Sequence, residues 1–224
     1  CCLALLEGRF TERARINALL VLTVVMAFAA GFRPDDVDHD YMTYVDMYYN
    51  SFSITTEVSF IAIASFVELF FDDVTFLFLI YALISLAVHA LAVKKLSHLW
   101  FLSLLVYLSN YYLLHEMNQI RVGVSAGLFL VALYYLCNEQ RRRFLLFAFF
   151  ATLFHYTAFV LFFFAFFDGK PLKKWQYYFY LSIIPAAYIL YFLQVSVLTS
   201  IPIPYFEEKL QLYQARIPQI QQLK

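Results

Sequence analysis

The feature that most constrains this chain is a succession of apolar runs close to the length of a bilayer. About 20 apolar residues cover the hydrocarbon core, and residues 16–32, 74–93 and 122–137 approach that length with almost no interruption. Lipid gives the backbone no water to bond with, so such runs satisfy their own polar groups as helices. The sequence is 63% hydrophobic and 14% charged, against roughly 45–50% and about 25% in soluble domains, which leaves no room for a soluble domain. The expected fold is therefore all-α: a polytopic integral membrane helical bundle over residues 1–224, with the lipid bilayer as its first partner and short re-entrant or broken segments. The 16 basic and 16 acidic residues balance, so no nucleic-acid partner is expected. The missing initial Met and the amphipathic end at Lys224 read as incompleteness at both termini.

Charge sets the expected topology. Arg9, Arg13 and Arg15 precede the first run, which places the N-terminus in the cytoplasm by the positive-inside rule. Residues 33–56 then form an outer acidic loop carrying Asp35, Asp36, Asp38, Asp40 and Asp46. Residues 57–71 are apolar but short for a crossing. Lys94 and Lys95 follow the run 74–93 and belong inside, which favours a dip and return at 57–71. Residues 99–114 would run outward and 122–137 back to Arg141, Arg142 and Arg143. The stretch 144–167 reads either as a hairpin turning at His155 or as one tilted helix. Residues 176–193 form a last span, and 198–224, with Pro202, Pro204 and Pro218, read as an amphipathic interfacial segment. Cys1, Cys2 and Cys137 have neither metal nor disulfide spacing.

Candidate chemistry gathers at the expected outer face. Asn118 and Arg121 stand one helical turn apart at the mouth of residues 115–136, HEMNQIRVGVSAGLFLVALYYL. A guanidinium there needs a partner, a wet cavity or the headgroup layer, so Arg121 is either an anion site or a snorkelling side chain. Tyr41, Tyr44 and Tyr48 make one helical stripe, which could hold sugars or form an interfacial belt. Asp40 directly before the stripe could take a proton from an acceptor hydroxyl. Asp36, Asp38 and Asp40 alternate like oxygen ligands, but no calcium-loop Gly or closing Glu follows, and no metal is expected. His155 could shuttle a proton or bond a phosphate, or be a neutral His satisfied by a carbonyl. Glu57 could serve the site, or pair with Arg33 or Arg121 to hold it open.

Taken in order, Arg33, Asp40-Tyr41, Tyr44, Glu57, Asn118-Gln119-Ile120-Arg121, Arg142-Arg143 and Phe154-His155 resemble the EpsG family of exopolysaccharide polymerases, relatives of Wzy-type O-antigen polymerases. Val124-Ser125 depart from the family pattern, which often has Gln and small residues there. The resemblance implies a GT-C-like membrane glycosyltransferase of the bacterial inner (cytoplasmic) membrane, multi-pass, with its active site facing the periplasm or outer surface. It implies transfer of a growing glycan from undecaprenyl-pyrophosphate to the next lipid-linked repeat unit of an exopolysaccharide, capsule or O-antigen, in the company of other polysaccharide-assembly membrane proteins. Energy stored in the pyrophosphate link makes a cofactor unnecessary. On this reading Arg33 and Arg121 bind the departing diphosphate, Asp40 is the first candidate base and His155 the second, and Tyr41, Tyr44, Glu57 and Asn118 line the substrate site. The competing expectation is a transporter or flippase of lipid-linked oligosaccharide, although no repeated halves are evident.

Overall fold

The computed structural model describes residues 4, 7–35, 40–50, 56–165 and 173–192. Asp36, Asp38 and the expected interfacial segment 198–224 lie outside the described residues. All regular elements among the described residues are helical, and the chain divides into two units, residues 1–52 with 56–168 and residues 53–55 with 169–224. The protein is an all-α membrane helical bundle.

Among the described residues three helices are long and apolar enough to cross a membrane: α1 (Glu12–Gly31), α4 (Val74–Leu96) and α6 (Ile120–Cys137). Between α1 and α4 lie α2 (Tyr41–Tyr49) and α3 (Val58–Phe70). α5 (Trp100–Asn110) continues into a π-helical turn, Leu113–Asn118, before α6. α7 (Arg141–Phe154), a 3-10 turn (Tyr156–Val160) and the short α8 (Leu161–Phe164) complete the first unit.

The α4 helix is the axis. α1 packs against it antiparallel: a Cβ on Gly31 would sit 2.7 Å from the Leu79 Cα, an approach only glycine permits. At the other end the Arg15 guanidinium stacks 4.2 Å over Trp100, which also lies under Lys94. α6 runs parallel to α4, since Gly123 meets Ser85, Gly127 meets His89 and the Lys95 ammonium lies over Tyr134 and Tyr135. Arg143 reaches the same Tyr135 ring. The basic residues flanking α1, α4 and α7 are therefore gathered at one end, as the charge pattern requires.

At the opposite end the elements stop short of the top of α4. α3 starts at the level of Tyr81, where the Phe60 and Tyr81 rings lie 6.2 Å apart, and climbs until Phe71 stacks on Phe76 at 4.3 Å. It begins deep, beside Tyr81, and returns over 13 residues to the end from which α4 departs. Asp73 closes the corner, its carboxylate accepting from the Thr75 N–H at 2.8 Å as an N-cap. α7 also ends at this level, with Phe154 edge-on to Tyr81 at 6.0 Å. His155 leaves the helix with extended backbone (φ −153°, ψ 116°), and Phe164 returns to Phe129. Residues 144–165 are thus broken at His155 and fold back. Tyr81 lies about two turns along α4 from Val74, so the junction sits roughly 10 Å below that end of the helix.

In the second unit α9 (Lys174–Phe192) is helical with Pro185 inside it. It carries Trp175 and several tyrosines, and it is not among the three helices long and apolar enough to cross a membrane.

Candidate functional site

Three chain segments meet at this junction, and each delivers a polar group. Glu57 is the N-cap residue of α3, but its carboxylate makes no bond to its own helix. It is 2% exposed and reaches two residues distant in sequence. Its Oε2 accepts from Nη1 of Arg121, at the first turn of α6, and its Oε1 takes a 3.1 Å hydrogen bond from Nδ1 of His155, past the end of α7. Because an ionised carboxylate only accepts, Nδ1 of His155 is the donor, and in the neutral imidazole Nε2 is then the unprotonated ring nitrogen. The neighbouring Tyr156 hydroxyl donates to the Thr56 carbonyl at 3.0 Å, a second tie between the same two segments.

Burial works to raise the Glu57 carboxyl, but the His155 hydrogen bond and the Arg121 charge together hold it below its ordinary range. The positive end of α3 also favours the anion. Glu57 is therefore a fixed negative charge with a guanidinium on one oxygen and an imidazole on the other. Arg121 and His155 each retain 22% side-chain exposure, so neither is sealed in.

A layer of aromatic rings backs this triad. The Tyr44 ring lies 6.1 Å from Phe60 and 6.2 Å from Phe78, while Tyr41 stacks on Phe78 at 4.9 Å. The Arg121 guanidinium lies 5.4 Å from the Tyr44 centroid, and the Arg33 guanidinium lies 4.1 Å over Phe78. Arg33 also bonds the Ala30 carbonyl at 3.1 Å and is 6% exposed. The two arginines thus flank one aromatic cluster at the same end of the bundle. Arg121 is held by a buried carboxylate, so snorkelling does not describe it.

The remaining sequence candidates are distributed unequally. Tyr44 is 4% exposed and the Tyr41–Tyr44 stripe turns into the core as packing. Asp40 is the N-cap residue of α2 without a side-chain cap bond; its charge acts on Tyr44, and it contributes no bond to the triad. Asn118 ends the π-helical turn, three residues before Arg121, with its Oδ1 buried and without a hydrogen-bond partner among the described residues. Sequence reasoning passed over Tyr81, buried among ordinary apolar neighbours of α4, and Ser59, whose hydroxyl is 3.4 Å from the Tyr81 hydroxyl. It also passed over Glu116, an acid inside the HEMNQIR stretch itself.

A helical membrane bundle with a charged triad recessed between its helix ends is an integral membrane protein with a polar site in its core. The chain belongs to the EpsG family, whose family model matches residues 16–217. Membership points to an exopolysaccharide polymerase, a glycosyltransferase-like membrane enzyme. No curated protein and no solved structure matches the chain.

Proposed function

We propose that this protein lengthens a polysaccharide by moving a growing glycan from a polyprenyl diphosphate, of the undecaprenyl type, onto the next lipid-linked repeat unit. The observation that carries this reading is the Arg121–Glu57–His155 triad. The acceptor sugar's hydroxyl gives its proton to Nε2 of His155 as its oxygen bonds the donor's anomeric carbon, and the bond from that carbon to the diphosphate oxygen breaks. The electron pair leaves with the lipid diphosphate, whose new negative charge Arg121 offsets by a bidentate contact. Glu57 orients the imidazole and stabilises the imidazolium, the part a carboxylate plays beside a catalytic His.

This assigns the base to His155 in place of Asp40, which bonds no member of the triad. Arg33, stacked behind the aromatic cluster, adds positive potential and holds the ends of α1 and α2 together. Tyr41 and Tyr44 fix the two guanidiniums, and Asn118, three residues before Arg121, is the group assigned to bond a sugar hydroxyl. The gathered basic end faces the cytoplasm by the positive-inside rule, so the triad's end of the bundle faces the outer side of the bacterial inner membrane.

The test is reconstitution of the full chain with lipid-linked repeat units. A polymerase returns glycans of more than one repeat with release of lipid diphosphate. A transporter returns the same repeat unit, unlengthened, on the other side of the vesicle.

A further inference from the structure

Beneath the triad lies a second polar cluster that the transfer reaction does not use. Glu116, in the middle of the Leu113–Asn118 turn, is 1% exposed. The turn is π-helical: the Gln119 N–H bonds the Leu114 carbonyl, five residues back, at 2.7 Å. Such turns occur mostly as single insertions and often at functional sites. Both donors that reach Glu116, the Ser85 hydroxyl of α4 at 2.6 Å and the Tyr107 hydroxyl of α5, share one oxygen, Oε1. Its Oε2 has no hydrogen-bond partner among the described residues.

No Lys or Arg pairs with this carboxyl among the described residues. The titratable groups around it are His89 from α4, Tyr107 from α5, and Tyr112 and His115 from its own segment. The Tyr112 hydroxyl is spent on the Met26 carbonyl of α1 at 2.7 Å. His89 bonds the Ser85 carbonyl through Nδ1 at 2.9 Å, and that atom stands 3.9 Å from Oε1, beyond hydrogen-bond distance. Arg33, whose charge reaches Tyr112, is stacked on Phe78 and Tyr41. A buried carboxylate with one bare oxygen and no cation is costly, whereas a neutral acid fits: Oε1 is the carbonyl that accepts twice and Oε2 carries the proton.

We propose that Glu116 is a proton-binding positioning residue, which as a neutral acid fastens the Leu113–Asn118 turn to α4 and α5 and so holds Arg121 at the triad. The turn leads into Arg121 through Gln119 and Ile120, and the next residues of α6 lie against it: a Cβ on Gly123 would be 2.8 Å from the His115 carbonyl oxygen. Burial raises the Glu116 carboxyl to about 7, against the lowering effect of its two hydroxyl donors. The folded protein therefore binds this proton more tightly than the unfolded chain, and the stability it contributes is lost as pH rises through about 7.

The part of this inference that concerns Arg121 rests on the polymerase reading; the protonation state does not. Infrared spectra and melting curves of the full chain in lipid nanodiscs, taken across a pH series, test it without substrate. The wild type should show a protonated-carboxyl band that fades as pH rises through about 7 and is missing from Glu116→Gln, with a melting temperature that falls between the unfolded carboxyl's range, about 4.3, and about 7 in the wild type only. Tyr107→Phe, which removes a donor from the charged form, should keep the band to higher pH. Where lipid-linked repeat units are polymerised, Glu116→Gln should keep its activity above the pH at which the wild type loses it. A missing band, or the same pH dependence of melting in the wild type and Glu116→Gln, overturns the proposal. Equal pH profiles of polymerisation overturn the positioning role. A correct band and melting shift without any glycan lengthening count against the polymerase reading alone.

Discussion

Glu57 and His155, 98 positions apart in the chain, are joined by a 3.1 Å hydrogen bond between the start of α3 and the residue at which α7 breaks. The bond commits Nδ1 as the donor and joins His155 to the carboxylate that also holds Arg121. An imidazole and a guanidinium are thereby fixed on one negative charge.

Glu57→Gln keeps the side chain's shape and removes that charge. Polymerisation is expected to fall by about 10²- to 10⁴-fold, and His155→Ala should cost a comparable amount. The double variant should be little worse than either, because residues acting as a unit are not additive. Initial rates of glycan lengthening across the three variants check this.

Arg121→Ala should abolish lengthening and lower stability by about 3 kcal/mol, since it leaves Glu57 buried without its guanidinium. Arg121→Lys keeps the charge without the planar fork and is expected to recover stability far better than activity. Thermal unfolding set beside chain-length analysis separates the two effects.

The depressed Glu57 carboxyl makes an acid-side prediction. Its folded-state value lies below the unfolded one, so it contributes stability above the ordinary carboxylate range of about 4.3, lost as pH falls through the folded value. Wild-type melting temperature should therefore fall towards acid more steeply than that of Glu57→Gln. Parallel curves for the two proteins would remove Glu57's charge from the account.

The tyrosine stripe separates packing from sugar recognition. Tyr41→Phe keeps the ring stacked on Phe78 and should leave lengthening near the wild-type rate. Tyr44→Ala empties a core position and should destabilise by roughly 3–5 kcal/mol, the range for large aromatic deletions. A large loss of activity in Tyr41→Phe with unchanged melting would return that hydroxyl to the substrate.

Much of this was legible in the sequence because lipid leaves few options. Apolar length and basic flanks indicated α1, α4 and α6, the return of 57–71 and a hairpin as one of two readings of 144–167. The break at His155 has no Gly or Pro to mark it; it is sustained by Glu57 and the Thr56 carbonyl, partners about a hundred residues away. Helical spacing grouped Tyr41, Tyr44 and Tyr48 correctly, but spacing does not say whether a stripe faces sugar, lipid or core. Asp40 drew notice by standing next to that stripe, whereas the carboxylate that bonds the histidine, Glu57, lies 17 residues further on. Glu116 was hidden by its polar neighbours, since an acid in HEMNQIR looks like loop surface until α4 and α5 close around it.

On the proposed reading, Arg121, Glu57 and His155 form one catalytic unit acting on a lipid diphosphate. Its most direct measurement is single-turnover release of lipid diphosphate from a synthetic lipid-linked repeat unit by the full chain, wild type against folded His155→Ala and Arg121→Ala. The account expects release coupled to a lengthened glycan in the wild type and its loss in both variants. Release and lengthening at the wild-type rate in either variant would contradict it.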